Sequence, residues 1–211
     1  AFSSLLAFFA FVGFEDLANI VEEAKLPHRD IPLAMLLTLL ITSVLYVLVA
    51  AVAVSAVAPA ELAGSAAPLS LVFRKVAGIS PATFNAIAVV ATLNTILAQM
   101  TMAARVVYGM ARQGDLPKML GRVDARTGTP LIATALVMAM VMVLALAFPL
   151  ERLAEGTSIA TLATFALVNL SLLRIKARGI VSDAPHIRVG AWVPALGLAT
   201  CLLMIATSLL G

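Results

Sequence analysis

Charged residues are scarce in this 211-residue sequence. Asp, Glu, Lys and Arg together make up 12% of the chain, whereas a soluble globular domain carries about 25%. Hydrophobic residues make up 62%, which leaves too little charge to cover a water-facing surface. The shortage of charge therefore excludes a soluble domain and predicts an integral membrane protein.

Cysteine and histidine are also rare. The single cysteine, Cys201, lies in an apolar run, which excludes a disulfide framework and a cysteine-based metal site. The histidines, His28 and His186, lie in connections, and neither a His-Glu-x-x-His nor a Gly-x-Ser-x-Gly motif occurs. No basic patch is interleaved with aromatic residues, which argues against a nucleic-acid partner. We therefore expect no catalytic residue, no metal and no cofactor.

Long apolar runs dominate what is present. Runs such as residues 36–41 do not alternate between apolar and polar side chains, as β-barrel strands would. The sequence predicts an all-α integral membrane fold with one transmembrane domain over residues 1–211. Six helices are expected at about 1–23, 31–58, 82–113, 130–148, 157–174 and 191–210. Between the second and third, residues 69–76 are amphipathic and indicate either a short surface helix or a solvated loop.

The basic residues predict the orientation in the membrane. Of the fourteen Lys and Arg, only Arg74, Lys75 and Arg152 fall at one set of alternate helix ends. The others fall at the opposite set. Because basic residues concentrate on the cytoplasmic side, the loops near 22–30, 112–128 and 174–188 are predicted to be cytoplasmic.

The first predicted helix has a glycine and two acids within its membrane span, at Gly13, Glu15 and Asp16. The uncharged residues before them cover only about 21 Å of a hydrocarbon core about 30 Å thick. If the helix continues to about residue 23, it is expected to break near 11–16, as in the discontinuous helices of transporters. Acids at membrane depth are functional candidates because their burial is costly. The alternative is a plain interfacial helix that ends near Gly13.

The third predicted helix carries polar residues on two faces. Thr95 and Gln99 lie on one face, and Asn94 and Thr101 lie on the opposite one. This distribution predicts a helix enclosed by other helices, with its polar groups either hydrogen-bonded between helices or facing a ligand. Gln99 is the better ligand-facing candidate, and Thr95 and Thr161 are weaker candidates for lining a pathway.

Two stretches resemble one family. Residues 8–15 read Phe-Phe-Ala-Phe-Val-Gly-Phe-Glu, and residues 22–32 have the pattern Glu-Glu-x-x-x-Pro-x-Arg-x-Ile-Pro. Together they resemble the sixth transmembrane helix and following loop of permeases of the amino acid-polyamine-organocation (APC) superfamily. Residues 93–117 resemble the eighth helix and its loop, although Ala104 replaces a common Ser and Gln113 a common Asp.

The resemblance implies a leucine-transporter-like (LeuT-like) inverted-repeat helical bundle. This chain would hold helices 6 to 11, which are the second five-helix repeat plus one helix. It starts inside a predicted helix without an initiator Met, so we expect an internal portion of a longer transporter. Helices 1 to 5 of the same carrier would then supply the rest of the substrate site.

The resemblance also implies site residues. Phe9 matches an aromatic that covers the substrate, and the backbone of Ala10, Phe11, Val12 and Gly13 matches the unwound stretch that receives the substrate's amino group. Glu15 matches an acid linked to gating or proton response. Asp16 is a weaker candidate for that role, or a cap of the second half-helix. Gln99 matches a site-facing position of the eighth helix.

The implied activity is secondary active transport of an amino acid or related amine across the cytoplasmic membrane by alternating access. Proton coupling is expected because a carboxylate withdrawn from water binds a proton more readily, and sodium coupling stays open. A non-transporting sensor or scaffold of the same fold is the alternative. A membrane-embedded enzyme is disfavoured by the missing motifs.

Overall fold

The computed structural model describes residues 2–78, 80–180 and 187–210. His186 lies outside the described residues. All regular elements in the described ranges are helical: α1 (Phe2–Phe9), α2 (Pro27–Ala56), α3 (Pro59–Ala63), α4 (Pro68–Ala77), α5 (Pro81–Gln113), α6 (Leu131–Ala147), α7 (Leu150–Ala177) and α8 (Trp192–Leu210). Two 3-10 helices, Phe14–Glu23 and Lys118–Gly121, complete the element order.

The lengths of these helices suit a multi-pass membrane protein. Among the described residues, four segments are long and apolar enough to cross a bilayer: Ser4–Glu23, Pro27–Ala56, Pro81–Gln113 and Leu150–Ala177. Leu131–Ala147 and Trp192–Ser208 are shorter apolar helices. The predicted helical membrane fold is therefore confirmed at this level.

Helix α2 begins at Pro27, before the expected start near residue 31. Proline is tolerated at a first helical position because its missing N–H has no partner there in any case. The amide of Leu26 donates to the Asp30 carboxylate at 3.3 Å, which satisfies a donor at this helix end. Pro32 consequently lies inside the helix and does not start it.

Helix α7 begins at Leu150, before the expected start near residue 157. The expectation followed the charge-free run, whereas the first turns of the helix include charged side chains. Arg152 and Glu155, one turn apart, form an ion pair at 3.2 Å. The charged residues therefore mark the start of the apolar run. The helix itself begins before that run, and its charged side chains pair with each other.

The amphipathic stretch after α2 is a helix, the first of the two alternatives. In α4, Ser70 and Val72 are buried, and the Phe73 ring lies 4.7 Å from the Phe84 ring of α5 between centroids. Lys75, in the last turn of α4, pairs with Glu61 of α3. The apolar face of α4 thus packs on α5.

The chain divides into two compact units. One unit comprises Ala1–Leu36 and Met138–Gly211, and the other comprises Leu37–Val137. In the first unit, α1, α7 and α8 pack around a core of Leu5, Leu162, Ala166 and Cys201. In the second unit, α3 packs against α4, and α4 packs against α5. The 3-10 helix Lys118–Gly121 also packs against α5.

The connection from Arg122 to Thr129 is organised by one aspartate. The Asp124 carboxylate accepts the amides of Arg126 and Thr127, both at 2.9 Å. These hydrogen bonds, the one from Thr127 foremost, lower the pKa of Asp124 because they favour its ionised form.

Candidate functional site

The first membrane segment is broken between α1 and the 3-10 helix Phe14–Glu23. After Phe9, the amides of Phe11 and Val12 donate to the carbonyls three residues back, at 2.9 and 3.1 Å. Gly13 then adopts φ 120° and ψ −18°. Side-chain-bearing residues rarely adopt such a positive φ, so glycine is the residue that suits this position. The helix axis is interrupted where the sequence has its glycine.

The Glu15 side chain forms a hydrogen bond with the backbone at the break. Its Oε2 atom accepts the backbone amide of Gly13 at 2.7 Å, in a partly buried position. In lipid, each backbone group that leaves a helix needs an internal partner because no water is available. The Glu15 side chain therefore supplies the acceptor that a carbonyl four residues back would provide in a continuous helix.

Asp16 has a different set of contacts. Its amide donates to the Gly13 carbonyl at 3.3 Å, and its carboxylate accepts the Asn19 side-chain amide at 3.3 Å. Gly13 occupies the N-cap position of the 3-10 helix. This helix therefore has no side-chain hydrogen bond from its N-cap residue. Glu15 and Asp16 both lie in the first turn of this helix. Negative charge is favourable there because the N-terminal end of the helix dipole is positive.

Helix α7 supports the break from the side. The Phe165 ring contacts Phe8 edge-on, with centroids 6.3 Å apart, and contacts Phe14 in a tilted geometry at 5.8 Å. Ser158, fully buried, directs its hydroxyl to the Leu5 carbonyl of α1 at 3.2 Å and to the Ala154 carbonyl of its own helix at 2.8 Å. The segment before the break is thus held by both polar and aromatic contacts.

Sequence reasoning did not single out Ser158 or Phe165. A signal was available, because Ser158, Leu162 and Phe165 recur at helical spacing and so lie on one face of α7. This pattern indicates that one face of α7 packs against other helices. It does not indicate which helix, since α1 is far away in the sequence.

Other predicted site residues lie in two units. Phe9, with 38% of its surface exposed, and the stretch from Ala10 to Gly13 belong to the first unit, as does the partly buried Thr161 of α7. Gln99 and Thr95 are exposed on α5 in the second unit. The hydroxyl of Thr95 donates to the Ala91 carbonyl at 3.1 Å, a bond within its own helix.

The end of α1 combines backbone carbonyls with an aromatic side chain. The carbonyl end of α1 carries partial negative charge, and the Phe9 ring is partly exposed beside it. Among the described residues, no group of three or more His, Cys, Asp and Glu side chains could hold a metal ion.

Comparison with known proteins points to one family. The family model described as amino acid permease matches residues 1–211. The branched-chain amino acid permease BcaP of Bacillus subtilis is 30% identical over 208 residues, which cover 96% of this chain and 44% of that protein.

Two further relatives agree. The cationic amino acid transporter 3, mitochondrial, of Arabidopsis thaliana is 33% identical over 175 residues, which cover 82% of this chain and 28% of that protein. An uncharacterized transporter of Mycobacterium tuberculosis is 34% identical over 201 residues, which cover 94% of this chain and 44% of that protein.

This chain spans less than half the length of each of these relatives. The match nevertheless extends over all of the chain, through both the broken segment and α5. The resemblance to APC permeases is confirmed, and the relatives bear the names of transporters, not of enzymes. The chain belongs to the amino acid permease family of the APC superfamily.

Proposed function

We propose that this chain is part of a secondary active transporter that moves an amino acid or related amine across the cytoplasmic membrane by alternating access. The observation that carries the proposal is the break at Gly13, where a helix opens inside a membrane span. Opened backbone is tolerated at membrane depth where it meets protein, water or a substrate. A substrate site at the break is the functional use of that geometry.

The substrate's ammonium group would bind at the carbonyl end of α1. Helix C-termini carry about half a negative charge, which attracts a cation without placing a full charge in the membrane. In this proposal, the backbone of Ala10, Phe11, Val12 and Gly13 receives the amino group, and the Phe9 ring covers the bound molecule. The exposed part of the Phe9 surface is consistent with such a cover.

Glu15 would link proton binding to the shape of the site. As a carboxylate it accepts the Gly13 amide through a charge-assisted bond. A protonated carboxylic acid is a weaker acceptor, so protonation would loosen the backbone that binds the substrate. Asp16, held by Asn19, would play a secondary part through the charge at the start of the 3-10 helix.

The rest of the site requires the whole carrier. We propose a LeuT-like arrangement in which helices 1 to 5 of the carrier, absent from this chain, provide the other half of the substrate site. Gln99 would then face the site, Thr95 and Thr161 would line the pathway, and the loops near 22–30, 112–128 and 174–188 would be cytoplasmic. A proton is the proposed coupling ion, with sodium as the other possibility to be measured.

The test is uptake of labelled amino acids by the full-length protein in proteoliposomes, with and without an inward proton gradient. The panel includes branched-chain and cationic amino acids, because two relatives are named for these classes. Saturable uptake that the gradient enhances supports a proton-coupled permease. Ligand binding without uptake, in vesicles shown to be tight, would instead support the sensor or scaffold.

Glu15→Gln tests the proposed proton role, because it keeps an acceptor oxygen and removes the exchangeable proton. We expect the stimulation by the proton gradient to disappear. Glu155→Gln is the matched control, since Glu155 pairs with a largely exposed arginine in the same unit. Unchanged gradient-driven uptake in Glu15→Gln would rule out that role for Glu15.

A further inference from the structure

One aromatic side chain contacts both sides of the break. Phe165 of α7 lies 6.3 Å from Phe8, in the last turn of α1, and 5.8 Å from Phe14, the first residue of the 3-10 helix. The first contact is edge-on at 83°, and the second is tilted at 56°. A single ring on a third element therefore bridges two segments whose own helical backbone is interrupted between them.

The part of α7 that carries Phe165 is packed against α1. Next to Phe165 on α7, Leu162 and Ala166 are buried in the core shared with Leu5. Two turns before Phe165, the fully buried Ser158 hydroxyl contacts the Leu5 carbonyl. Helix α7 thus contacts α1 both near Ser158 and near Leu162. Its ring contact with the segment after the break is made by Phe165.

The backbone at the break departs from the regular hydrogen bonding of an α-helix. An uninterrupted helix fixes its halves through successive hydrogen bonds four residues apart, whereas here the chain turns through Gly13, whose amide bonds the Glu15 side chain. Glycine restricts its own backbone less than any other residue. A contact from outside the segment can therefore contribute to the angle between the two halves.

We propose that Phe165 is a positioning residue that fixes α1 and the 3-10 helix Phe14–Glu23 relative to each other. Through this ring, the orientation of the backbone between Phe9 and Phe14 depends on α7. The structural part of the inference is independent of transport. Its effect on uptake rests on the proposed function.

The direct test measures the distance between the two halves. Spin labels are placed at the exposed positions Ala7 and Ala18 of the full-length protein, with Cys201 and any other cysteines replaced, and the distance distribution is recorded by pulsed electron resonance. Phe165→Leu keeps an apolar side chain but removes both ring contacts. We expect its distribution to be at least about twice as wide as that of the parent protein.

Two controls separate this effect from general damage. Phe165→Tyr keeps the ring and is expected to retain the narrow distribution. Phe84→Leu removes the ring contact with Phe73 at 4.7 Å, in the other unit, and is expected to leave the distance unchanged. A narrow, parent-like distribution in Phe165→Leu would overturn the proposal.

Phe14→Leu is a second route if changes in α7 prevent folding. It removes one of the two contacts and leaves the packing of α7 intact, so the distribution should again widen. In combination with Phe165→Leu it should add no further widening, because both changes remove the same contact after the break. Unchanged width in Phe14→Leu, or fully additive widening in the double variant, would contradict the bridge.

Uptake provides the functional readout. An aromatic pair contributes a factor of about 2 to 13 to a conformational equilibrium, so Phe165→Leu, which removes two such pairs, should lower the maximal uptake rate at least about 2-fold. Phe165→Tyr should restore the rate. If the parent protein transports nothing, the proposed function fails while the distance measurement still decides the role of Phe165.

Discussion

The segment around Gly13 and helix α5 both place polar groups in a long apolar stretch, yet only the first is broken. In α5, Gly109 lies within an uninterrupted helix of 33 residues. Gly13, by contrast, has φ 120° and separates α1 from a 3-10 helix. A glycine in a membrane helix is therefore compatible with either outcome.

The polar neighbours differ between the two regions. In α5, the hydroxyls of Thr95 and Thr101 donate to the carbonyls of Ala91 and Leu97 in their own helix, at 3.1 and 2.8 Å. These bonds use side-chain donors and leave the helical amides in place. At the break, Glu15 accepts a backbone amide, which a helical carbonyl would otherwise do. Glycine permits the break, and a nearby acceptor stabilises it.

Replacing the glycine at the break should have the largest effect. Gly13→Ala places a side chain at a strongly positive φ, which should destabilise the protein by up to about 3 kcal/mol and abolish most uptake. The matched control is Gly109→Ala, where nothing lies within 4 Å of the added carbon and stability should rise by up to about 1 kcal/mol. Thermal unfolding in detergent and proteoliposome uptake measure both. Similar stability and uptake of the two variants would show that Gly13 has no greater need for glycine than Gly109.

Removing the acceptor at the break should have the next largest effect. Glu15→Ala leaves the Gly13 amide without the carboxylate that it contacts at 2.7 Å, at a cost of about 2 kcal/mol. Glu15→Gln keeps an oxygen acceptor and should lose less than half of that. Glu155→Ala is the control, because its ion pair with exposed Arg152 contributes at most about 1 kcal/mol. Equal unfolding temperatures for Glu15→Ala and Glu15→Gln would mean that the hydrogen bond does not stabilise the break.

A third glycine tests close packing in an unbroken helix. A carbon added at Gly197 of α8 would lie 2.6 Å from the side-chain oxygen of Asn169 on α7. The Asn169 amide donates to the Phe165 carbonyl at 2.8 Å, so moving it aside should cost about 1 kcal/mol. Gly156→Ala, with nothing within 4 Å, is the control on α7 and should not be destabilised. A Gly197→Ala variant as stable as Gly156→Ala would show that α7 and α8 do not need this close approach.

The polar groups of α5 should have the smallest effect on stability. Thr101→Val removes a hydroxyl that is bonded within its own helix and leaves every backbone bond intact. We expect a change below about 0.5 kcal/mol in the free energy of unfolding. A loss above about 1 kcal/mol would indicate that Thr101 also bonds another helix of the whole carrier.

Several features could be predicted from local residue patterns. The position of the break followed from Gly13, Glu15 and Asp16 inside an apolar run, and α5 was expected within one residue of its observed start. Helices α2 and α7 begin earlier than the charge-free runs predict, because neither a proline nor a charged residue ends the helix at these places. Pro27 begins α2 without losing a hydrogen bond, and the charges of α7 pair along the helix.

The supporting contacts of the candidate site could not be predicted in the same way. Ser158 and Leu5 are 153 positions apart, and the helical pattern of α7 shows a packed face without naming its partner. Choosing between Glu15 and Asp16 as the acceptor also required the backbone path, because both acids are within reach of Gly13 in the sequence. The observed path through Gly13 places Glu15 on the amide and Asp16 beside Asn19.

By itself, the sequence determined that this is a multi-pass helical membrane protein and that its first membrane segment is prone to break at Gly13. Both follow from properties of neighbouring residues: the scarcity of charge and the backbone freedom of glycine. Only the tertiary structure decided that Phe165 spans the break and that Ser158 holds α1. Such contacts depend on which helix faces of distant segments meet, and packing of the whole unit sets that arrangement.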